Sequence, residues 1–185
     1  LAARMIEPDD VPEAVAEQMA AAEVRCASLT DHDTVAGLAR FRDTLARFGI
    51  GKSICIIGLG PIGCMMLELS RVFGASRVFA AQRSRARLDM ARQFLPNARF
   101  IATEEENLVD TVMKETGGEG VDLAITTAGT VQAHDDAIRM VAHRGYVNLF
   151  GGLKNQPKLA IDSNIIHYKE CYVMGSHGSL PRHHR

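Results

Sequence analysis

An apolar run, Ile54-Cys55-Ile56-Ile57, leads straight into Gly58-Leu59-Gly60-Pro61-Ile62-Gly63. Few folds place three glycines at that spacing directly after a buried segment. The pattern predicts a strand over Ser53–Ile57, a tight turn at Gly58, and a helix opening at Pro61, where a missing N–H costs nothing. Gly58 permits the turn, Gly60 lets a ligand approach the main chain, and Gly63 lets helix and strand pack closely. The unpaired N–H groups and partial positive charge at such a helix start suit a pyrophosphate. Gly58, Gly60, Pro61, Ile62 and Gly63 are therefore expected at the pyrophosphate of a dinucleotide. A tight βα turn with no ligand is the alternative reading of the same residues.

Strand and helix signals alternate from here on. The first helix, Pro61 to about Phe73, carries Ile62, Met65, Met66, Leu69, Val72 and Phe73 at helical spacing and ends at Gly74. A second strand covers Arg77–Ala81. Ser84 can cap a helix whose apolar face is Leu88, Ala91, Phe94 and Leu95, stopped by Pro96-Asn97. Arg99–Ala102 is a short third strand. Glu104, Glu105 and Glu106 are expected in the first turn of a third helix, where the dipole favours acids, with Leu108, Val109, Val112 and Met113 on its buried face and Gly117-Gly118 closing it. Val121–Thr126 is a fourth strand, and Thr130 opens a helix through Ile138 and Val141. Tyr146–Phe150, led in by Gly145, is a fifth strand; Asn155–Ile161 is extended, Ser163–Lys169 a short helix and Cys171–Gly175 a sixth strand. Strands joined by single helices imply right-handed crossovers. The expected fold is α/β, a Rossmann doubly wound parallel sheet of about six strands flanked by helices, in the order 3-2-1-4-5-6.

The first 50 residues read differently. Val11–Arg25 and Thr34–Phe48 are helical in pattern, separated by the polar Ser28-Leu29-Thr30-Asp31-His32-Asp33. The expected organisation is a helical segment over 1–50 and a dinucleotide-binding domain over 51–185. The sequence ends abruptly at Gly178–Arg185, as if another element were starting there.

Composition narrows the function. A formal net charge of −1 gives no basic face for nucleic acid or a membrane surface. No apolar run approaches the roughly 20 residues that span a bilayer, and charges stand where a signal peptide would be apolar. Cys26, Cys55, Cys64 and Cys171 form no Cys-x-x-Cys pair, which suits reduced thiols in a cytoplasmic protein.

Taken together, these stretches resemble the zinc-type medium-chain alcohol, polyol and threonine dehydrogenases. The matching pieces are Ile57–Gly63, Gly74-Ala-Ser-Arg-Val78, Arg87-Leu-Asp-Met-Ala91, Thr116–Asp122, Thr127-Ala-Gly129, Phe150-Gly-Gly152, Ile166-His-Tyr-Lys169 and Gly175-Ser-His-Gly178. They cover most of Lys52–Arg185. The resemblance implies the NAD(P)-binding part of a two-domain oxidoreductase that passes hydride between a secondary alcohol or polyol and nicotinamide. It also implies that a catalytic domain carrying the zinc ligands precedes the sequence, so that zinc belongs to the complete enzyme and catalytic residues are not assigned here.

Within that resemblance, relatives carry an acid at the end of the second strand that accepts from both adenosine-ribose hydroxyls. Here Gln82 stands there, followed by Arg83. A neutral amide and a guanidinium favour a 2′-phosphate, so NADP is slightly preferred over NAD. The alternative keeps NAD on Gln82, with Arg83 and Arg85 merely solvated. Arg87 matches a position at the adenosine end in polyol dehydrogenases, or is simply exposed. Because ligands lie outside the carboxyl ends of such strands, Thr127, Ala128 and Gly129 after strand 4, and Gly151 and Gly152 after strand 5, are expected to flank the cofactor. Ser176 and His177 follow strand 6 and can approach the carboxamide, although His177 reads better as a surface histidine.

Cys26 and Glu23 fall where relatives place a zinc ligand. Cys26 is a weak candidate, since one thiol without partners holds zinc poorly, and it reads better as a buried structural cysteine. Asp31-His32-Asp33 reads as a solvated turn. Relatives also pair sixth strands across a homodimer, which makes the edge at Cys171–Gly175 a candidate interface. A different class of function stays open beside the dehydrogenase: a stand-alone, catalytically inactive nucleotide-binding or structural subunit. A methyltransferase also uses a glycine-rich first turn, but wants the acid that Gln82 replaces.

Overall fold

The structure, a computed structural model, describes residues 51–153, 155 and 158–177. The two helices and polar loop expected before residue 50, with Glu23, Cys26 and Asp31-His32-Asp33, lie outside the described residues, as does the segment after 177.

Among the described residues, five helices alternate with six strands. They are β1 (Ser53–Ile57), α1 (Pro61–Val72), β2 (Arg77–Gln82), α2 (Arg85–Ala91), β3 (Arg99–Ala102), α3 (Leu108–Glu115), β4 (Val121–Thr126), α4 (Val131–Met140), β5 (Val141–Leu149), α5 (Ser163–Lys169) and β6 (Tyr172–Gly175). All neighbouring strands pair in parallel, in the order β3-β2-β1-β4-β5-β6. This is the expected doubly wound Rossmann sheet. β1 and β4 lie at its centre and are buried on both faces, which is why they read as near-continuous apolar runs. On one face Ile54, Ile56, Leu123 and Ile125 pack against Met66, Leu69 and Leu88 of α1 and α2. On the other Cys55, Ile57 and Ala124 pack against Leu108, Val112, Ala137 and Ile138 of α3 and α4.

The amino ends of the central strands are tied by charge. Asp122 of β4 accepts from the Ser53 N–H and hydroxyl, each at 2.8 Å, and from Lys52 Nζ at 3.1 Å. Burial works to raise this carboxyl, but the bonds from Ser53 and the Lys52 ammonium outweigh it and hold it below the usual aspartate range.

Four boundaries differ from those read in the sequence. The third helix starts at Leu108 and is capped by Asn107, whose side chain accepts from the Asp110 N–H. Glu104, Glu105 and Glu106 sit before it, in a turn where the Ala102 carbonyl accepts from the N–H groups of Glu105 and Glu106. Their charges answer arginines rather than a helix dipole: Arg83, Arg85 and Arg99 respectively. The helix after Ser84 stops at Ala91, with Phe94 and Leu95 in turns beyond it. Val141, read as helical, begins β5 and pairs with Val121. The register then shifts, with Arg144 in a left-handed conformation (φ 56°), before Tyr146 pairs with Leu123. The ion pair from Arg144 Nε to Glu170 Oε2, 2.8 Å, joins this irregularity to Glu170, which ends α5 in a second left-handed conformation (φ 49°). The stretch before α5 read as extended forms no strand at residue 155 or residues 158–161.

Candidate functional site

β1 delivers the chain to Gly58 at φ 101°, a conformation that favours glycine. Space also excludes a side chain there: a β-carbon would lie 2.6 Å from Thr127 Oγ1 and 2.8 Å from the Ala128 nitrogen. At Gly63, inside α1, a β-carbon would lie 2.0 Å from the Gly58 carbonyl oxygen. Gly60 is different. It has ordinary extended dihedrals, and a β-carbon on it would meet nothing within 4 Å.

Gly60 is also the N-cap of α1, so no side chain caps that helix, and no acid occupies its first turn. Pro61 has no N–H, leaving those of Ile62 and Gly63 at the helix start. By contrast α3, α4 and α5 begin with side-chain caps from Asn107, Thr130 and Asp162, while α2 starts at Ser84 without the side-chain cap read in the sequence. A bare, positively polarised helix start beside an open glycine has the chemistry of an anion site.

The loop after β4 is laced to this turn. Thr127 Oγ1 donates to the Gly58 carbonyl at 2.7 Å, while the N–H groups of Thr127 and Ala128 donate to Ile57 O. The loop after β5 nests in turn against the loop after β4. The N–H groups of Phe150 and Gly151 donate to Thr126 O, and a β-carbon on Gly151 would lie 2.7 Å from Thr127 O. Gly129 packs as closely, its β-carbon position 2.2 Å from Gly152 O. Gly58, Gly60, Pro61, Ile62, Gly63, Thr127, Ala128, Gly129, Gly151 and Gly152 are thus brought together at the carboxyl ends of β1, β4 and β5. Ser176 follows β6 and donates to Asn148 Oδ1 at 3.1 Å. His177, beside it, is exposed.

At the end of β2, Gln82 Oε1 accepts from the Arg83 N–H at 2.8 Å. The arginines beyond it differ in commitment. Arg85 is held by both carboxylate oxygens of Glu105, a pair that raises the arginine and lowers the acid. Arg83 meets Glu104 at only 3.6 Å, with both side chains mostly in water. Arg87 is exposed and makes no ion pair among the described residues.

Among the buried polar residues, His134 is a site neighbour that went unread in the sequence. His134 of α4 is 5% exposed, and its Nε2 lies 2.7 Å from the Gly151 carbonyl oxygen. The signal was available: it shares the apolar face of α4 with Ala137 and Ile138, where a polar side chain needs a partner.

No group of three or more metal-ligating side chains occurs among the described residues. Cys55 is fully enclosed, and burial first, then the nearby Asp136 charge, push its thiol up. Burial likewise raises Cys64 and Cys171. A zinc site needs three or four ligands converging on one point, and these buried, separated sulfurs do not supply one. A crevice of about 550 Å³ lined by Arg71, Arg77, Leu95 and Arg99 lies at the amino ends of β2 and β3, remote from the glycine turn. No helix among the described residues is long and apolar enough to cross a membrane.

The family model described as "Zinc-binding dehydrogenase" matches residues 61–184, well over half of the chain. The chain belongs to the zinc-binding dehydrogenase family. Among curated relatives, the L-threonine 3-dehydrogenase of Caldanaerobacter subterraneus subsp. tengcongensis is 30% identical over 129 residues, covering 70% of this chain and 37% of the relative. The NADP-dependent isopropanol dehydrogenase of Entamoeba histolytica is 30% identical over 110 residues, covering 58% and 30%. Among solved structures, alcohol dehydrogenase TADH from Thermus sp. ATN1 superposes with a TM-score of 0.68 at 30% identity, over 76% of this chain and 40% of that one. The chain therefore spans well under half the length of these zinc-binding dehydrogenase relatives. The family match begins at Pro61, so Gly58 and Gly60 precede it.

Proposed function

We propose that this chain is the NAD(P)-binding part of an alcohol or polyol dehydrogenase-like oxidoreductase, in which hydride passes between a secondary alcohol or polyol and nicotinamide. The observation that carries the reading is the uncapped start of α1 beside open space at Gly60, with Gly58 and Gly63 each fixed by close contact. A pyrophosphate there accepts from backbone N–H groups that the fold leaves bare. The adenosine half then lies over β1–β3 and the nicotinamide half over β4–β6, across the point where the strand order reverses.

NADP is the favoured cofactor over NAD. Gln82 is neutral where a carboxylate would repel a 2′-phosphate, and Arg83 and Arg87 are the arginines left free enough to meet it. The Entamoeba relative, an NADP-dependent isopropanol dehydrogenase, supports the same preference. The relatives above are dehydrogenases, which lends no support to an inactive structural subunit. No catalytic step is assigned to zinc here, because the described cysteines do not fit it. The outer edge of β6 has no partner strand among the described residues, which suits the homodimer contact; light scattering at micromolar concentration tests it, and a monomer would refute it.

The deciding experiment is parallel calorimetric titration with NADPH and NADH. Binding of both, NADPH tighter, is expected. Binding of neither would overturn the nucleotide reading.

A further inference from the structure

The loop that follows β5 contributes Gly151 and Gly152 to the half of the site assigned to nicotinamide. Its backbone hangs on two anchors. One is the Thr126 carbonyl, which accepts from the N–H groups of Phe150 and Gly151 at 3.0 and 2.7 Å. The other is His134, whose Nε2 lies 2.7 Å from Gly151 O. A carbonyl can only accept, so the ring carries its proton on Nε2 and donates it here. The ring is 5% exposed, and Nε2 has no second partner among the described residues. The bond spans 17 residues and ties the first turn of α4 to the end of β5.

Its position gives it leverage on the whole rim. The N–H of His134 donates to Thr130 O at 3.2 Å, and Thr130 caps α4 from the loop that also carries Thr127. Gly151 sits so close to Thr127 O that a β-carbon would lie 2.7 Å away, and Thr127 Oγ1 holds Gly58 O. The bond from His134 is thus the side-chain end of a contact series that runs through Gly151 and Thr127 to the pyrophosphate turn. The far end of the series is backbone fixed by glycine; the near end is a single imidazole.

We infer that His134 is a positioning residue, which fixes the Gly151–Gly152 loop so that the nicotinamide half of a dinucleotide, rather than its adenosine half, is held in place. The inference rests on the dinucleotide reading above. It names a role for α4, an element whose other buried residues only pack. His134 touches no reacting atom; it acts through the loop backbone. A carbonyl that loses this donor turns to water, and the loop shifts with it. Net hydrogen-bond energies of this kind correspond to affinity changes of about 3- to 10-fold.

The test compares NADPH with 2′-phospho-ADP-ribose, which lacks only the nicotinamide, on the full chain and two variants. His134→Phe keeps a ring and deletes the donor; His134→Gln restores an N–H donor. In His134→Phe, NADPH is expected to bind about 10-fold more weakly, with reduced nicotinamide fluorescence enhancement. The fragment should bind that variant as it binds the unsubstituted protein, which also shows that the site is folded. His134→Gln is expected to recover most of the NADPH affinity. Equal weakening of NADPH and fragment would overturn the inference and leave His134 a general packing residue. Unchanged NADPH binding in His134→Phe would overturn it too. If the unsubstituted chain binds neither ligand, the dinucleotide reading itself falls; if it binds both and the variants do not discriminate, only the role of His134 falls.

Discussion

A β-carbon on Gly63 would lie 2.0 Å from the carbonyl oxygen of Gly58, so the first turn of α1 rests directly on the turn that leaves β1. The neighbour is backbone, which has no rotamer to give. At Gly60, three residues earlier, the same atom would meet nothing within 4 Å. Two glycines of one motif thus answer to different demands.

Gly63→Ala should destabilise the protein by about 2 kcal/mol, since α1 must move off β1. Gly60→Ala should leave stability within about 0.5 kcal/mol and weaken NADPH by about 10-fold, by blocking approach to the main chain. Urea unfolding and calorimetry on both variants check this. Equal stability losses would contradict the division.

The arginines after β2 should separate in the same way. Arg83→Ala should weaken NADPH by about 10-fold and leave NADH unchanged, as expected for a lost charge-assisted bond to a phosphate. Arg85→Ala should change neither, because Glu105 already takes the Nε–Nη2 edge of its guanidinium in a two-pronged pair. Glu104→Gln should tighten NADPH by freeing Arg83, whose pairing at 3.6 Å is exposed and weak. An unchanged NADPH/NADH ratio in Arg83→Ala would sink the phosphate reading.

Asp122 predicts the acid limb of stability. Its folded value lies below the unfolded one, near 4. The stability it contributes is therefore present above about pH 4 and lost as pH falls through the lower folded value. Asp122→Ala should cost about 2 kcal/mol at neutral pH, because the Ser53 N–H loses its acceptor. It should also flatten the fall in melting temperature below about pH 4. An unaltered acid limb would show that other carboxylates carry it.

Asn107→Ala should cost about 1 kcal/mol through loss of the cap on α3. Glu106→Gln should cost no more than about 1 kcal/mol, as expected for a partly exposed pair with Arg99. Thermal melts of the two variants check the order. A larger loss for the glutamate would show that its pair with Arg99 outweighs the cap.

The sheet was legible because β1 and β4 are buried on both faces, so their apolar runs have one interpretation. Parallel pairing followed from single-helix crossovers, and the strand order from the dinucleotide-binding arrangement that the glycine turn implies. What misled was local chemistry open to two uses. Glu104, Glu105 and Glu106 suit a helix start, yet Arg99 at the head of β3 takes the last of them. Arg83 and Arg85, which follow β2, take the other two in pairings between strands that have no signature in neighbouring sequence. Val141 continues the helical spacing of α4, but its pairing with Val121 decides otherwise. In the site, Gly58, Gly60 and Gly63 were legible because their spacing directly after a strand is itself the signal, even though the crowding at Gly58 comes from Thr127 and Ala128. His134 was not, since its partner is a backbone carbonyl 17 residues away, in a loop whose path depends on the finished sheet.

The open space at Gly60 has a consequence for how this protein would change over generations. Were dinucleotide binding to lapse, selection would still police positions 58 and 63, where any side chain collides. Position 60 would be released at once. Its substitution in a lineage would then date the loss of the ligand while the architecture stood, and its persistence marks use rather than shape.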